Sequence, residues 1–189
     1  MCDLAFRFFG AAALFPALLF FSALLALGFA WYLFRVTPEN AERMESVSRW
    51  KIPGFLLGLF VIAWCVPHAM PLLPESLHKY LIPAMIAAAA ASWFVLDHLF
   101  ARALGGYMIL TAHLFLRETF GCEGFSGPFS AALLLFYGTC GIVLCGLPYR
   151  LRDLVKAASE RRIKWSVAGI SVIYFLFFLL MGIRALRWF

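Results

Sequence analysis

Hydrophobic and polar residues alternate along the chain in blocks, with six long apolar segments separated by short polar ones. A helix needs about twenty apolar residues to cross a hydrocarbon core of about 30 Å. Helices are expected because lipid offers backbone groups no water, and the period-2 alternation of a membrane barrel is missing from these segments. The pattern predicts an all-α, polytopic transmembrane helical bundle forming a single integral membrane domain, with spans near 8–34, 52–73, 79–99, 103–119, 128–148 and 164–185.

The composition agrees with membrane insertion. Of the 189 residues, 64% are hydrophobic and 14% are charged, against about 45–50% and about 25% in ordinary soluble domains. A water-soluble monomer is therefore excluded, and the lipid bilayer is the expected surrounding of the chain.

Positive charge is concentrated on one side of the predicted topology. The net charge of +6 could suggest nucleic acid, but the basic residues lie in short segments between the apolar ones. Eleven of the sixteen lysines and arginines follow the first, third and fifth spans. In a bacterial-type inner membrane, the positive-inside rule then predicts that both termini lie outside the cytoplasm. Because the basic residues are explained as topology signals, no nucleic-acid partner is predicted. If the short fourth span did not cross, the two most basic segments would face opposite sides.

The two most basic segments carry local patterns of their own. After the first span, Thr37 and Pro38 predict the N-cap and first turn of a short charged helix. After the fifth span, apolar residues fall on one helical face, and the other positions supply a basic loop suited to anionic inner-leaflet lipids, made by Arg150, Arg152, Lys156, Arg161 and Arg162.

Small residues at helical spacing indicate close packing between helices. Gly54 and Gly58 form a G-x-x-x-G at the start of the second span, and Ala84, Ala88 and Ser92 recur every four residues in the third. Such residues let helix backbones approach in lipid. They favour a packed bundle, a partner membrane subunit or a homo-oligomer, without deciding among these.

Ionisable residues at membrane depth are costly, and each is a candidate for function. His113 lies nearest a span centre, and His68 lies near the outer end of the second span. Together with Arg117 and Glu118 they make the outer half the most polar part of the bundle, which predicts a ligand or proton site there. Asp97 and Arg102, at the inner end of the third span, are predicted to form a structural ion pair.

Three interpretations of His68 and His113 remain open. Both imidazoles can be neutral and hydrogen-bonded inside the bundle. They can line a substrate or proton site in a transporter-like cavity. They can also be the axial ligands of a b-type haem in a haem- or quinone-linked electron-transfer subunit. Apart from that haem alternative, no cofactor and no metal site is predicted.

A short segment resembles a protease motif. Gly124-Phe125-Ser126-Gly127 is similar to the G-x-S-G of rhomboid intramembrane proteases, which have a six-helix core. That family needs a histidine on a later helix as the base for the serine, whereas all four histidines of this chain precede Ser126. The resemblance covers four residues, and an intramembrane hydrolase using Ser126 is kept as a second alternative. The favoured function is a non-enzymatic membrane component: a small permease, a substrate-binding membrane subunit, or an accessory subunit of a larger membrane complex.

Overall fold

The computed structural model of the chain describes residues 11–70, 73–121 and 127–186. Within these ranges the protein is helical and has no β-strand. Its elements are α1 (Ala11–Phe34), α2 (Ala41–Met44), a 3₁₀ helix (Glu45–Arg49), α3 (Lys51–Ala69), α4 (Glu75–Val95), α5 (Leu99–Gly121), α6 (Pro128–Gly146), α7 (Tyr149–Ala157) and α8 (Arg161–Leu186).

The long helices fall on the six predicted apolar segments, which confirms the helical fold class. The largest difference in bounds concerns the third segment, predicted at 79–99, where α4 instead spans Glu75–Val95. His98 adopts a φ of 56°, in the left-handed region that an α-helix does not use. The chain therefore turns before Leu99, and α5 begins there, four residues before the predicted start of the fourth span.

Five segments are long and apolar enough to cross a membrane. They are Phe15–Phe34, Ala41–Val66, Leu99–Arg117, Pro128–Gly146 and Arg161–Leu186. The long helix that is not among them is α4, because its first turns carry Glu75, His78 and Lys79. The fourth predicted span, expected to be the shortest, belongs to a helix of 23 residues.

The connection after α1 contains the predicted short charged helix, but its start is different. Thr37 does not cap it; α2 begins at Ala41. Asn40 arranges the turn instead: its Oδ1 accepts a hydrogen bond from the Thr37 amide at 2.7 Å, and its Nδ2 donates to the Arg35 carbonyl at 2.9 Å. An Asn side chain mimics a backbone turn in this way, so the helix begins after Asn40 and not after Pro38.

The helices belong to two compact units, of which the first contains residues 1–44 and 154–189. In its described part, α1 and α8 pack antiparallel. At one end the rings of Phe34 and Trp165 lie 5.3 Å apart in an edge-to-face contact. At the other end the ring of Phe20 packs on Gly182, where an added Cβ would lie 3.1 Å from it. These contacts hold the two longest helices of the described residues together.

The second unit contains residues 45–153 and is built around α5. The side chains of Tyr107 and Phe115 on α5 are fully buried. Against one face of α5 packs the antiparallel helix α6, so closely that a Cβ at Gly105 would lie 2.7 Å from the Gly141 carbonyl oxygen. Glycine is needed here because any side chain would meet backbone.

Helix α4 lies at the periphery of this second unit. It packs on α3 through Trp93, whose ring lies 5.3 Å from that of Phe55. Ala89 is buried, whereas Ala84 and Ala88 are exposed and Phe94 is 84% exposed. Most of the α4 surface therefore faces away from the unit.

The basic loop is in part a short amphipathic helix, as predicted. Leu151, Val155 and Ala158 are buried in the protein. Of the five basic side chains predicted to face lipid, four are exposed and Arg152 is half-buried; the exposed ones are Arg150, Lys156, Arg161 and Arg162.

Candidate functional site

The contact between α3 and α5 determines which residues of the two helices lie side by side. A Cβ at Gly54 would lie 2.5 Å from the Phe100 amide nitrogen, and one at Gly58 would lie 3.8 Å from the Ala103 Cβ. Further along, a Cβ at Gly106 would lie 3.1 Å from Val61. Position 58 is thus opposite 103 and 61 opposite 106, so the two helices run parallel with a sequence offset of 45 to 46.

This register bears directly on the two candidate histidines. If this register continues for two more turns, position 68 lies level with position 113. His113 follows Gly106 by seven residues, which is close to two full helical turns. It therefore lies on the α5 face that contacts α3, and its side chain is exposed. The side chain of His68 is not among the described ones.

The remaining predicted members of the site lie around the outer end of α5. Arg117 is exposed, and it shares the face of His113 because it follows one helical turn later. Glu118 lies in α5, but its side chain is outside the described part. Ser126, the nucleophile of the hydrolase alternative, lies outside the described residues altogether.

The contact of α3 with α5 is closest at Gly54. A Cβ there would meet backbone atoms of α5, whereas a Cβ at Gly106 would meet a side-chain methyl of Val61 at 3.1 Å. Both positions lie two or more turns from His68 and His113. Ligation of a haem by these histidines therefore stays a prediction, as does a site for a small polar ligand or a proton.

The structure also gathers polar residues at the inner end of the second unit. There the Ser48 hydroxyl and the His98 Nδ1 form a hydrogen bond of 2.9 Å, which joins the 3₁₀ helix to the turn before α5. Arg102 donates from Nη1 to the Cys145 carbonyl oxygen at 3.1 Å, which joins α5 to the end of α6. This bond also satisfies a carbonyl that the helix terminus leaves without a partner.

Asp97 and Arg102 do not form the predicted ion pair. An ion pair of 3.0 Å joins Arg152 to Asp153 instead. Arg102 instead holds a carbonyl of α6, and its Nε is buried without a hydrogen-bond partner in the described part of the chain.

His98 experiences the charges of this inner cluster. Burial lowers the pKa of its imidazole, and the nearby guanidinium groups of Arg49, Arg152 and Arg102 lower it further, while Asp97 acts in the opposite direction. Burial and the three guanidinium groups disfavour the charged imidazolium, whereas the Asp97 carboxylate favours it. The neutral ring is therefore the form present near neutral pH, with Nδ1 facing the Ser48 hydroxyl.

Sequence reasoning missed the cluster of Ser48, Arg49, His98 and Cys145. Arg49 and His98 are separated by a whole helical hairpin, so no spacing rule connects them. The signal that was available is the predicted topology, because the segments after the first, third and fifth spans were expected on one side.

A metal site is not indicated by the described residues, which contain no group of three or more His, Cys, Asp or Glu side chains able to hold an ion. Comparisons of the chain with protein-family models, with curated proteins and with solved structures find no match.

Proposed function

We propose that the chain is a non-enzymatic integral membrane component with six crossings, acting as a small permease or substrate-binding membrane subunit whose ligand or proton site lies on the outer half of the α3–α5 contact. The observation that supports this proposal is the parallel packing of α3 and α5 as far as Val61 and Gly106. Continued for two turns, the same register would put positions 68 and 113 at one level. Ionisable groups at membrane depth mark ligand or ion pathways in proteins of this class.

The same packing supports six crossings. Because α3 and α5 run in the same direction side by side, the residues between them must return over the full length of the pair. Helix α4 has 21 residues, a length of about 31 Å at 1.5 Å per residue. That length matches the hydrocarbon core, so α4 is the third crossing in spite of the polar residues in its first turns.

The positions of the basic segments support the predicted sidedness. In the second unit, residues 48, 98 and 102 lie together with the end of α6. In the first unit, the Lys164 ammonium donates to the Val36 carbonyl oxygen, which brings the segments before α8 and after α1 to one end. The segments after the first and third spans thus meet beside the end of α6 in the second unit, and those after the first and fifth spans meet in the first unit. An inner side rich in arginine requires such neighbours.

The chemistry of the outer site follows from its side chains. His113 offers ring nitrogens that can donate or accept a hydrogen bond, and Arg117 carries a fixed positive charge one turn further out. His113 lies fourteen residues into α5, about 21 Å from its inner end. This combination suits a small anionic substrate or a substrate moved together with a proton.

The test is native mass spectrometry of the protein released from lipid nanodiscs after mild extraction. We expect a small molecule bound to the wild type and lost in His113→Ala. Thr139→Ala is the matched control: Thr139 is exposed and next to Gly138, which packs at the level of Ala112. Retention of the molecule in His113→Ala, or its equal loss in Thr139→Ala, contradicts the proposed site.

A second candidate, an accessory subunit of a larger complex, is favoured by α4. Its exposed Ala84 and Ala88 present the small surface that helices use to pack on each other in lipid. This candidate predicts that a second membrane protein co-purifies with the wild type and is lost in Ala88→Leu. The haem alternative predicts a Soret band that disappears in His113→Ala; a colourless preparation removes it.

A further inference from the structure

We propose that Trp64 of α3 is a ligand-contacting residue of the outer site, that its indole N–H donates a hydrogen bond to the ligand, and that this ligand is a small organic anion with an apolar body. The inference rests on the function proposed above, because it names the chemistry that the same site recognises.

Trp64 differs in burial from the tryptophans at the helix ends. Trp31, Trp50 and Trp165 are 57%, 47% and 58% exposed, as expected of side chains that anchor helix ends at the headgroup level of a bilayer. Trp64 is 9% exposed and lies five residues before the end of α3, about 8 Å from that end. Because it is covered by protein, Trp64 is not an interfacial anchor.

The rings around Trp64 place it beside α5. The ring of Phe60, one turn earlier on α3, lies 5.6 Å from that of Trp64 in an edge-to-face contact. The same Phe60 ring lies 6.4 Å from that of Tyr107 on α5, which is fully buried. Trp64 therefore belongs to an aromatic cluster that joins α3 to α5.

The register of the two helices gives the level of this cluster relative to His113. Val61 packs opposite Gly106, and Trp64 follows Val61 by three residues. Trp64 is thus level with positions 109–110 of α5, less than one turn beyond an observed contact. His113 shares the α5 face of Gly106 and lies one turn further out, about 5 Å along the axis.

The indole N–H of Trp64 is a donor that needs a partner. It makes no hydrogen bond to any residue in the described ranges. Its nitrogen is also not among the fully enclosed nitrogen and oxygen atoms of those side chains that lack a partner, so a ligand atom can reach it. A tryptophan buried among apolar groups usually pairs its N–H, since an unpaired donor there is unfavourable. An acceptor on a ligand supplies the missing partner.

The surrounding side chains indicate the class of ligand. The indole N–H is a donor only, and so is the guanidinium of Arg117, one turn beyond His113. The fixed positive charge of Arg117 favours an anion. The rings of Phe60 and Trp64 offer apolar surface on the inner side. A small anion with an apolar body can place an oxygen at the indole N–H and its body against these rings.

The experiment uses 4-fluorobenzoate as the probe and the full chain in nanodiscs, labelled with ¹⁵N at the tryptophan indoles. The ¹⁹F signal of the probe gives an apparent Kd, with empty nanodiscs as the reference for partition into lipid. The indole ¹H–¹⁵N signals report contact, and the Trp64 signal is assigned by its loss in Trp64→Phe. This variant keeps an aromatic ring and removes the donor.

We expect the probe to shift the Trp64 indole signal, and Trp64→Phe to raise the apparent Kd about tenfold. Trp93→Phe is the matched control and should bind as the wild type does. Its ring packs on Phe55, nine residues before Trp64 and about 14 Å away along α3. The uncharged analogue 4-fluorobenzyl alcohol should bind at least tenfold more weakly than 4-fluorobenzoate.

The outcomes separate this inference from the proposed function. Binding that is lost in His113→Ala, with an unmoved Trp64 signal and an unchanged Kd in Trp64→Phe, overturns the role of Trp64 and leaves the outer site standing. A shifted Trp64 signal with full binding in His113→Ala supports the contact at Trp64 and contradicts the site proposed at His113. Absence of binding by the wild type, or equal affinity for the alcohol, overturns the assignment of an anionic ligand to Trp64.

Discussion

Replacing Gly54 by alanine tests the close contact of α3 and α5 on which the register depends. A Cβ at this position would lie 2.5 Å from the Phe100 amide nitrogen and 2.8 Å from the Phe100 Cα. Both are backbone atoms, so the helices themselves must separate to admit the methyl group. Gly58, one turn further along the same helix, is the matched control, because its nearest neighbour would be the Ala103 Cβ at 3.8 Å.

The expected magnitude follows from two opposing effects. Overpacking costs about 1–3 kcal/mol, and a contact with backbone belongs to the upper part of that range. Alanine regains about 0.8–1.0 kcal/mol through its better helix propensity. The net destabilisation expected for Gly54→Ala is therefore roughly 1–2 kcal/mol. Gly58→Ala meets ordinary van der Waals contact and should be neutral or slightly stabilising.

The assay is equilibrium unfolding in mixed detergent micelles by increasing sodium dodecyl sulfate, followed by circular dichroism. The quantity compared is the difference in unfolding free energy between each variant and the wild type. If Gly54→Ala and Gly58→Ala change stability by the same amount, the close approach at Gly54 is absent and the parallel register of α3 and α5 loses its support.

Three further outcomes are expected. Arg102→Met removes the hydrogen bond to the Cys145 carbonyl and should lower the unfolding free energy by about 1–3 kcal/mol in the same titration; an unchanged midpoint would show that this bond does not hold α6. Because burial and then Arg49 lower the pKa of His98, the unfolded chain binds the proton first, so stability should fall as pH decreases from about 6.5 towards the lowered folded value. His98→Asn, which tolerates the φ of 56°, should remove that component, and an identical pH dependence in both proteins would refute it. Gly141→Ala should lower the unfolding free energy more than Gly169→Ala does. A Cβ at Gly141 would lie 2.8 Å from the Gly105 carbonyl oxygen, whereas one at Gly169 would meet nothing within 4 Å. Equal unfolding free energies of the two variants would contradict the antiparallel contact of α5 and α6.

The helices could be predicted because lipid imposes one rule on every segment. Long apolar runs must satisfy their backbone internally, so the all-helical fold follows from hydropathy. The residues at which the helices begin and end could be predicted less well. The break before α5 depends on the left-handed backbone of His98, and the start of α2 depends on two hydrogen bonds of Asn40; neither has a signal in the hydrophobic pattern.

The sites depend on contacts between segments distant in the chain, and sequence could supply these only in part. Similar depths for His68 and His113 follow from the rise per residue of each helix taken alone, and they stay a prediction. The parallel register of α3 and α5 could not be predicted in this way, since it is set by Gly54, Gly58 and Gly106 meeting particular partners. Arg102 was assigned to the nearest acid in sequence, Asp97, whereas its partner is a carbonyl on α6, 43 residues away.

Cysteine labelling with a membrane-impermeant maleimide in intact inner-membrane preparations of known orientation tests the six-crossing topology most directly. Single cysteines are placed in a cysteine-free background at four exposed positions: Ser46, Asp97, Glu160 and Ser76. The account predicts that positions 46, 97 and 160 are labelled from the cytoplasmic face and position 76 from the opposite face. Labelling of positions 76 and 97 from the same face would show that α4 does not cross and would contradict the account.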